Sequence, residues 1–175
     1  MISVVIPAYN EERNLQALYA NLREVLRAAG EDDFELVIID DGSTDGTWET
    51  LNALSAEDVR VRGVRLSRNF GHQSALMAGL AAGRGQAIVM MDADLQHPPP
   101  LVPQLIRKWR EGFQIVHAVR RDPPNMSWFK RVTSRLYYRL FTFMSGVAIE
   151  PGSADFCLLD RQVVEEVLKF LTASA

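Results

Sequence analysis

Asp92, Asp94 and Gln96 place oxygen-bearing side chains at alternate positions just beyond an apolar run, Ala87 to Met91. In an extended chain, residues i, i+2 and i+4 project to one side. The spacing therefore predicts that the three share a face. Two carboxylates so close repel each other unless positive charge sits between them. Carboxylate and amide oxygens are hard donors that suit Mg²⁺ or Mn²⁺, ions that keep positions open for water and substrate phosphates. The competing expectation is that Asp92 and Asp94 only cap a turn ahead of Pro98, Pro99 and Pro100. His72, His97 and His117 lack the spacing of a zinc site.

A second acidic pair, Asp40 and Asp41, follows the apolar run FELVII, and Gly42 lets the backbone turn tightly there. Either carboxylate could accept a hydrogen bond from a base N–H or a ribose hydroxyl. Asp41, Ser43, Thr44 and Asp45 could equally form a helix N-terminal box, and both roles can coexist. The loop after the first apolar run reads Pro7-Ala8-Tyr9-Asn10-Glu11-Glu12. It is neither a glycine-rich dinucleotide loop nor a Walker lysine loop, which argues against a Rossmann oxidoreductase and a P-loop enzyme. Phosphate charge would then be met by a metal together with Arg120 or Arg121.

These clusters need a scaffold that brings strand ends together. The periodicity predicts strands at 2–7, 34–39, 61–66, 86–91, 114–119 and 155–159. Helices are predicted at 11–29, from Ser43 or Thr44 to about Leu54, and from His72 to Ala82. Further helices are predicted at 101–110, 127–145 and 160–171. Strand and helix alternate, so the fold class is α/β, with a mostly parallel central sheet covered by helices on both faces. In such sheets ligands bind beyond the carboxyl ends of the strands, where the polar clusters fall. The 175 residues suit one domain, and 47% hydrophobic with 23% charged residues is a globular composition, not a disordered one. A net charge of −3 offers no basic field for nucleic acid. Cys157 is the lone cysteine, which excludes an internal disulfide and fits a reducing compartment. No basic leader precedes Ile2, so no signal peptide is read. No apolar run approaches the ~18 residues of a membrane span.

"VVIPAYNEERNL", "VIIDDGSTDGT", "LSRNFGHQSALMAGL", "MDADLQHPP" and "ADFCLLDR" occur in that order over nearly the whole chain. Together they resemble the family 2 glycosyltransferases of the GT-A fold. The stretches Arg-Asn-Phe-Gly-His and Asp-Leu-Gln-His-Pro-Pro point to the polyprenyl-phosphate sugar transferase branch, similar to dolichol-phosphate mannose synthase and its bacterial glucosyl relatives. The resemblance implies that Pro7, Tyr9 and Glu11 line a nucleotide pocket, with Asp40 or Asp41 on the base or ribose. It places Asp92 and Ala93 against the nucleotide, Asp92 on ribose or metal, and Asp94 and Gln96 on a metal bridging the diphosphate. Arg120 or Arg121 would approach a phosphate, as would Lys130 or Arg131. Asp155 falls where many of these enzymes carry an acidic residue near the acceptor.

The implied reaction is metal-dependent, inverting transfer of a hexose from UDP- or GDP-hexose, with UDP favoured, to a polyprenyl phosphate. A lipid phosphate is already anionic, so Asp155 would orient or screen it; toward a sugar hydroxyl Asp155 would be the candidate base. The helix predicted at 127–145 sets Trp128, Val132, Leu136, Leu140 and Met144 beside a line of Arg131, Arg135 and Arg139. That pairing suits a helix lying among lipid headgroups, although a core helix with snorkelling arginines has the same pattern. The expected location is the cytoplasmic face of a membrane, peripheral through this domain. Relatives of this branch continue well past a motif like Asp155-Phe156, often into membrane spans, so a single GT-A domain truncated at its C-terminus is expected, and homo-oligomerisation stays open. The rival readings are a nucleotidyltransferase, which would carry a glycine-rich basic first loop, and a non-catalytic nucleotide-sugar-binding module.

Overall fold

The computed structural model describes residues 1–119 and 153–173, with side chains from Phe156 to Phe170 in the second stretch. The elements alternate as the periodicity predicts. Strand β1 (Ile2–Ala8) leads to helix α1 (Glu12–Ala28), β2 (Phe34–Asp40) to α2 (Thr47–Glu57), and β3 (Val61–Arg65) to α3 (His72–Ala82). Strand β4 (Ala87–Met90) is followed by a 3₁₀ turn (Pro99–Leu101), α4 (Val102–Arg110) and β5 (Ile115–Val119). Strand β6 (Ser153–Asp160) runs into α5 (Arg161–Ala173).

β1 and β2 are buried at every position. Runs rich in β-branched residues such as ISVVI form here because both faces of the sheet are covered by helices. The sheet order is β3-β2-β1-β4-β6-β5. β1 pairs in parallel with β2 and β4, and β2 with β3. β6 is antiparallel to both neighbours, β4 and β5. Five strands thus end at one edge, and β6 begins there. Leu15, Leu18 and Leu22 of α1, Leu51 of α2 and Ile106 of α4 pack on one face against Val4, Ile6, Leu36 and Val89. Ala75, Leu76 and Leu80 of α3 with Val164 of α5 cover the other, against Val5, Val37, Ile39 and Ile88.

The start of α2 departs from the sequence reading. Neither Ser43 nor Thr44 caps it; the cap position is Gly46, with no side-chain hydrogen bond. Ser43 and Thr44 bond to the neighbouring β1–α1 loop instead, so a serine and threonine suited to capping serve tertiary structure here.

At the edge opposite the strand ends, Glu35 is 5% exposed. Its carboxylate accepts from Ser3 Oγ at 2.7 Å, from the Arg84 N–H at 2.6 Å and from the Arg62 guanidinium at 2.8 Å. Ser3 Oγ in turn accepts from the Gly85 N–H at 2.7 Å. Burial alone would raise the Glu35 pKa, but the donors from Ser3, Arg62 and Arg84 more than offset it and hold the group below its ordinary value. The network fixes the turn into β4.

Among the described residues, no helix is long and apolar enough to cross a membrane. Arg120, Arg121, Lys130, Arg131 and the helix predicted at 127–145 lie outside the described residues.

Candidate active site

A cleft of about 330 Å³ opens at the carboxyl ends of the parallel strands. The β1 end contributes Pro7, Tyr9 and Glu11, and the β2 end contributes Asp41. The β3–α3 loop adds Asn69, Gly71 and His72, and the β4 end adds Asp92, Ala93 and Asp94. Sequence reasoning did not single out Asn69, Gly71, His72 or Ala75 as cleft residues. The strand-end rule flagged the loop that holds the first two, whereas Ala75, one turn into α3, carries no chemical signal at all.

The structure separates the two carboxylates that the sequence left as alternatives. Asp41 lines the cleft and accepts from the N–H groups of Phe70 and Gly71 at 2.8 and 2.9 Å. Asp40 is fully buried and does not line the cleft. Its Oδ1 accepts from the Ser43 N–H at 2.9 Å, and its Oδ2 lies 3.2 Å from Nε of Arg65, its cross-strand partner. Asp40 therefore braces the turn, and Asp41 ties the β2 end to the β3–α3 loop. Gly42 sits between them at φ 69. A Cβ there would collide with the main chain of Arg68 and Asn69, so glycine is required both for the turn and for the contact.

The expected alternation at Asp92, Asp94 and Gln96 breaks. Leu95 has φ 63, in the left-handed region, so the chain does not stay extended past Asp94. Asp92 and Asp94 line the cleft, whereas Gln96 lines a second cavity of about 250 Å³ with His97, Pro98 and Phe156. Asp94 Oδ1 also accepts from the Gln96 N–H at 2.9 Å, so the turn-capping expectation holds alongside the cleft position. The Asp92 carboxylate lies between two imidazoles, 3.6 Å from His72 Nε2 and 3.7 Å from His97 Nδ1. Cys157 of β6 pairs with Met90, the last residue of β4. Asp155, two residues earlier on that antiparallel strand, is thereby level with the start of the Asp92 loop.

The first loop is held by the second. The Asn10 N–H donates to Ser43 Oγ at 2.9 Å, and Asn10 Oδ1 accepts from the Thr44 N–H at 2.9 Å. The Glu11 N–H donates to Thr47 Oγ1 at 2.8 Å, and the Thr47 hydroxyl donates to Asp45. Asn10 adopts φ 58, a conformation asparagine tolerates better than most residues. The Gly-Ser-Thr-Asp-Gly-Thr motif thus acts as a clasp that sets Tyr9 and Glu11 against the cleft. Thr47→Val removes both hydroxyl bonds and orphans a half-buried N–H. Loss of about 1–2 kcal/mol of stability is expected, with weaker nucleotide binding; thermal unfolding and calorimetry with UDP check it. Unchanged affinity in the folded variant would show that the clasp does not set the cleft.

Four carboxylates line the cleft, from Glu11, Asp41, Asp92 and Asp94, and among the described lining residues His72 carries the lone ionisable nitrogen. A diphosphate would add more negative charge, so the donor set fits a hard divalent cation. Among the described residues no group of three or more His, Cys, Asp and Glu side chains is clustered to hold a metal.

A model of the family described as Glycosyl transferase family 2 matches residues 3–168. The chain belongs to that family. A prophage bactoprenol glucosyl transferase homolog of Escherichia coli (strain K12) is 39% identical over 166 residues, 95% of this family 2 chain and 54% of that protein. An uncharacterized glycosyltransferase of Bacillus subtilis (strain 168), YkcC, is 42% identical over 165 residues, 94% of this chain and 51% of its own. The chain spans about half the length of the curated relatives it matches. A crystal structure of glucosyl-3-phosphoglycerate synthase from Mycobacterium tuberculosis, in complex with Mn²⁺ and UDP-glucose, superposes with a TM-score of 0.66. It is 27% identical and covers 93% of this chain and 57% of that one. The GT-A fold expected from the motifs is thereby borne out.

Proposed function

We propose that this family 2 domain binds a nucleoside-diphosphate hexose in the cleft and transfers the hexose, with inversion, to a polyprenyl phosphate. One observation carries the reading: Glu11, Asp41, Asp92 and Asp94 meet in one cleft from three strand ends. The bactoprenol glucosyl transferase names among the relatives support the acceptor, and the Mn²⁺ and UDP-glucose complex supports the donor and ion.

The residues divide the work by position. Asp41, pinned by two N–H groups, offers its remaining lone pairs to a base N–H or ribose hydroxyl. Pro7 and Tyr9 give the base an apolar wall, and Ala93 leaves room for the ribose beside Asp92. Asp94 with Asp92 would hold Mg²⁺ or Mn²⁺; Gln96, expected beside them from the alternation, lines the second cavity and is left out of the ion set. The ion, when bound, supplies the positive charge that neutralises the departing diphosphate. Arg120, Arg121 and Arg131 are proposed phosphate contacts. Asp155 orients the acceptor, which as a phosphate needs no strong base. An acceptor in the bilayer places the domain against the cytoplasmic surface of a membrane.

The test is calorimetry with UDP-glucose and GDP-mannose, with and without Mn²⁺, followed by transfer to polyprenyl phosphate in vesicles. Metal-dependent binding and a glycolipid product support the proposal. Binding without transfer to any acceptor would leave a nucleotide-sugar-binding module, and absence of metal-dependent binding would overturn the site.

A further inference from the structure

The Asp92–His97 turn sets two carboxylates into the cleft, yet it contains an unfavourable backbone. Leu95 at φ 63 is a non-glycine residue in the left-handed region, a conformation that costs on the order of 1 kcal/mol and persists only where the surroundings impose it. The imposing contact is at the end of the turn. The main-chain N–H of Asp92 donates to Nδ1 of His97 at 3.0 Å, closing the turn end to end. Accepting that bond uses the Nδ1 lone pair, so the ring carries its proton on Nε2. The imidazole side chain is 14% exposed. It stacks on Phe156 with centroids 5.0 Å apart and planes 14° from parallel. Phe156 is itself buried in β6, next to Asp155.

We infer that His97 is a positioning residue for the active site. It does not line the cleft. It acts through the Asp92 main chain, holding the turn that presents Asp92 and Asp94, and it fastens that turn to the strand bearing Asp155. Donor-side carboxylates and acceptor-side strand are thereby kept in one register by a single ring. The functional consequence rests on the proposed donor site; the mechanical one does not.

The chemistry distinguishes two substitutions. Asparagine can place its Oδ1 near the position of Nδ1 and so accept from the Asp92 N–H. The acceptor of glutamine reaches the position of Nε2. His97→Ala is expected to lower Mn²⁺-dependent UDP affinity by about 10- to 100-fold, the scale of a lost supporting contact behind a metal ligand. His97→Asn should recover most of that loss, and His97→Gln should not. Amide hydrogen exchange of the peptide spanning 92–97, measured without metal or nucleotide, gives an independent readout. Protection of the turn should fall in His97→Ala and His97→Gln and return in His97→Asn, while thermal unfolding reports the rest of the fold. Rescue by glutamine and not asparagine would show that Nε2 is the working atom and overturn the inference. Unchanged exchange and affinity in His97→Ala would also overturn it. If the wild-type protein itself bound no UDP with Mn²⁺, the donor site would fail, and the exchange pattern would still decide the role of His97.

Discussion

Asp94→Asn is expected to lower kcat by about 10³-fold, the scale on which loss of one preorganised charge-stabilising group at a reacting centre is felt. The substitution is chosen because it is nearly isosteric. Asp94 Oδ1 accepts from the Gln96 N–H, and the amide oxygen of asparagine can do the same, so the turn survives while the charge goes. The difference between the variants then reads charge and not folding. Mn²⁺-dependent enhancement of UDP-glucose binding should disappear, while metal-independent binding through Asp41 and Tyr9 should persist. Asp40→Asn is the informative contrast: Asp40 is fully buried beside Arg65 and away from the cleft, so it should cost stability with little change in metal dependence. Full metal-dependent affinity in Asp94→Asn, measured by calorimetry, would remove Asp94 from the ion site.

The second large effect is on stability and lies at the other edge of the sheet. Glu35→Ala leaves Arg62, Ser3 and the Arg84 N–H without their shared acceptor. Breaking a buried pair by removing one partner costs about 3–5 kcal/mol. Arg62 keeps 29% of its side chain exposed, so water can take over part of its solvation and about 3 kcal/mol is the expected loss. The pH dependence has a definite sign. The folded-state pKa of Glu35 lies below the ordinary 4.5, so its contribution is fully present above about 4.5 and is lost as pH falls through the lower folded value. Denaturant titrations from pH 7 down to pH 3 should show wild-type stability falling across that window and a shallower fall in Glu35→Ala. Equal slopes would mean that another carboxylate governs acid unfolding. Nucleotide affinity, measured where the variant is folded, should hold, because the network sits at the edge opposite the cleft.

Most of the scaffold was legible because β1, β2 and β4 are largely apolar runs, broken only by Ser3 in β1 and by Glu35 and Asp40 in β2, and α1 repeats leucine on one face. The same local signals are silent on direction. Residues 155–159 read as a strand, but nothing in Phe156-Cys157-Leu158-Leu159 states that it runs antiparallel between β4 and β5. The strand-end rule located the cleft to within a few residues of each loop. It failed on which neighbour faces inward. Asp40 and Asp41 are chemically identical, and what separates them is a cross-strand arginine and two loop amides. Leu95 shows a different limit, since leucine carries no preference for positive φ. The signal lay in His97: its sequence position allowed either support behind a metal or satisfaction by local backbone, but did not name the Asp92 N–H as the donor that its ring accepts. Ser43 and Thr44 misled because a hydroxyl suited to capping a helix is equally suited to capping a neighbouring loop.

The placement of β6 has a bearing on how the polypeptide is born. Strands β1 to β4 can pair as they leave the ribosome, in chain order. The outer edge of β4, however, has no partner until residues 153–160 have been synthesised and threaded between it and β5. For that interval the nascent chain presents a row of unpaired main-chain N–H and C=O groups along an apolar strand, Ala87 to Met90, the kind of open edge that recruits other chains. A translational stall or premature stop between residue 94 and residue 152 would therefore yield an aggregation-prone product, even though the described lining residues of the cleft had already been made.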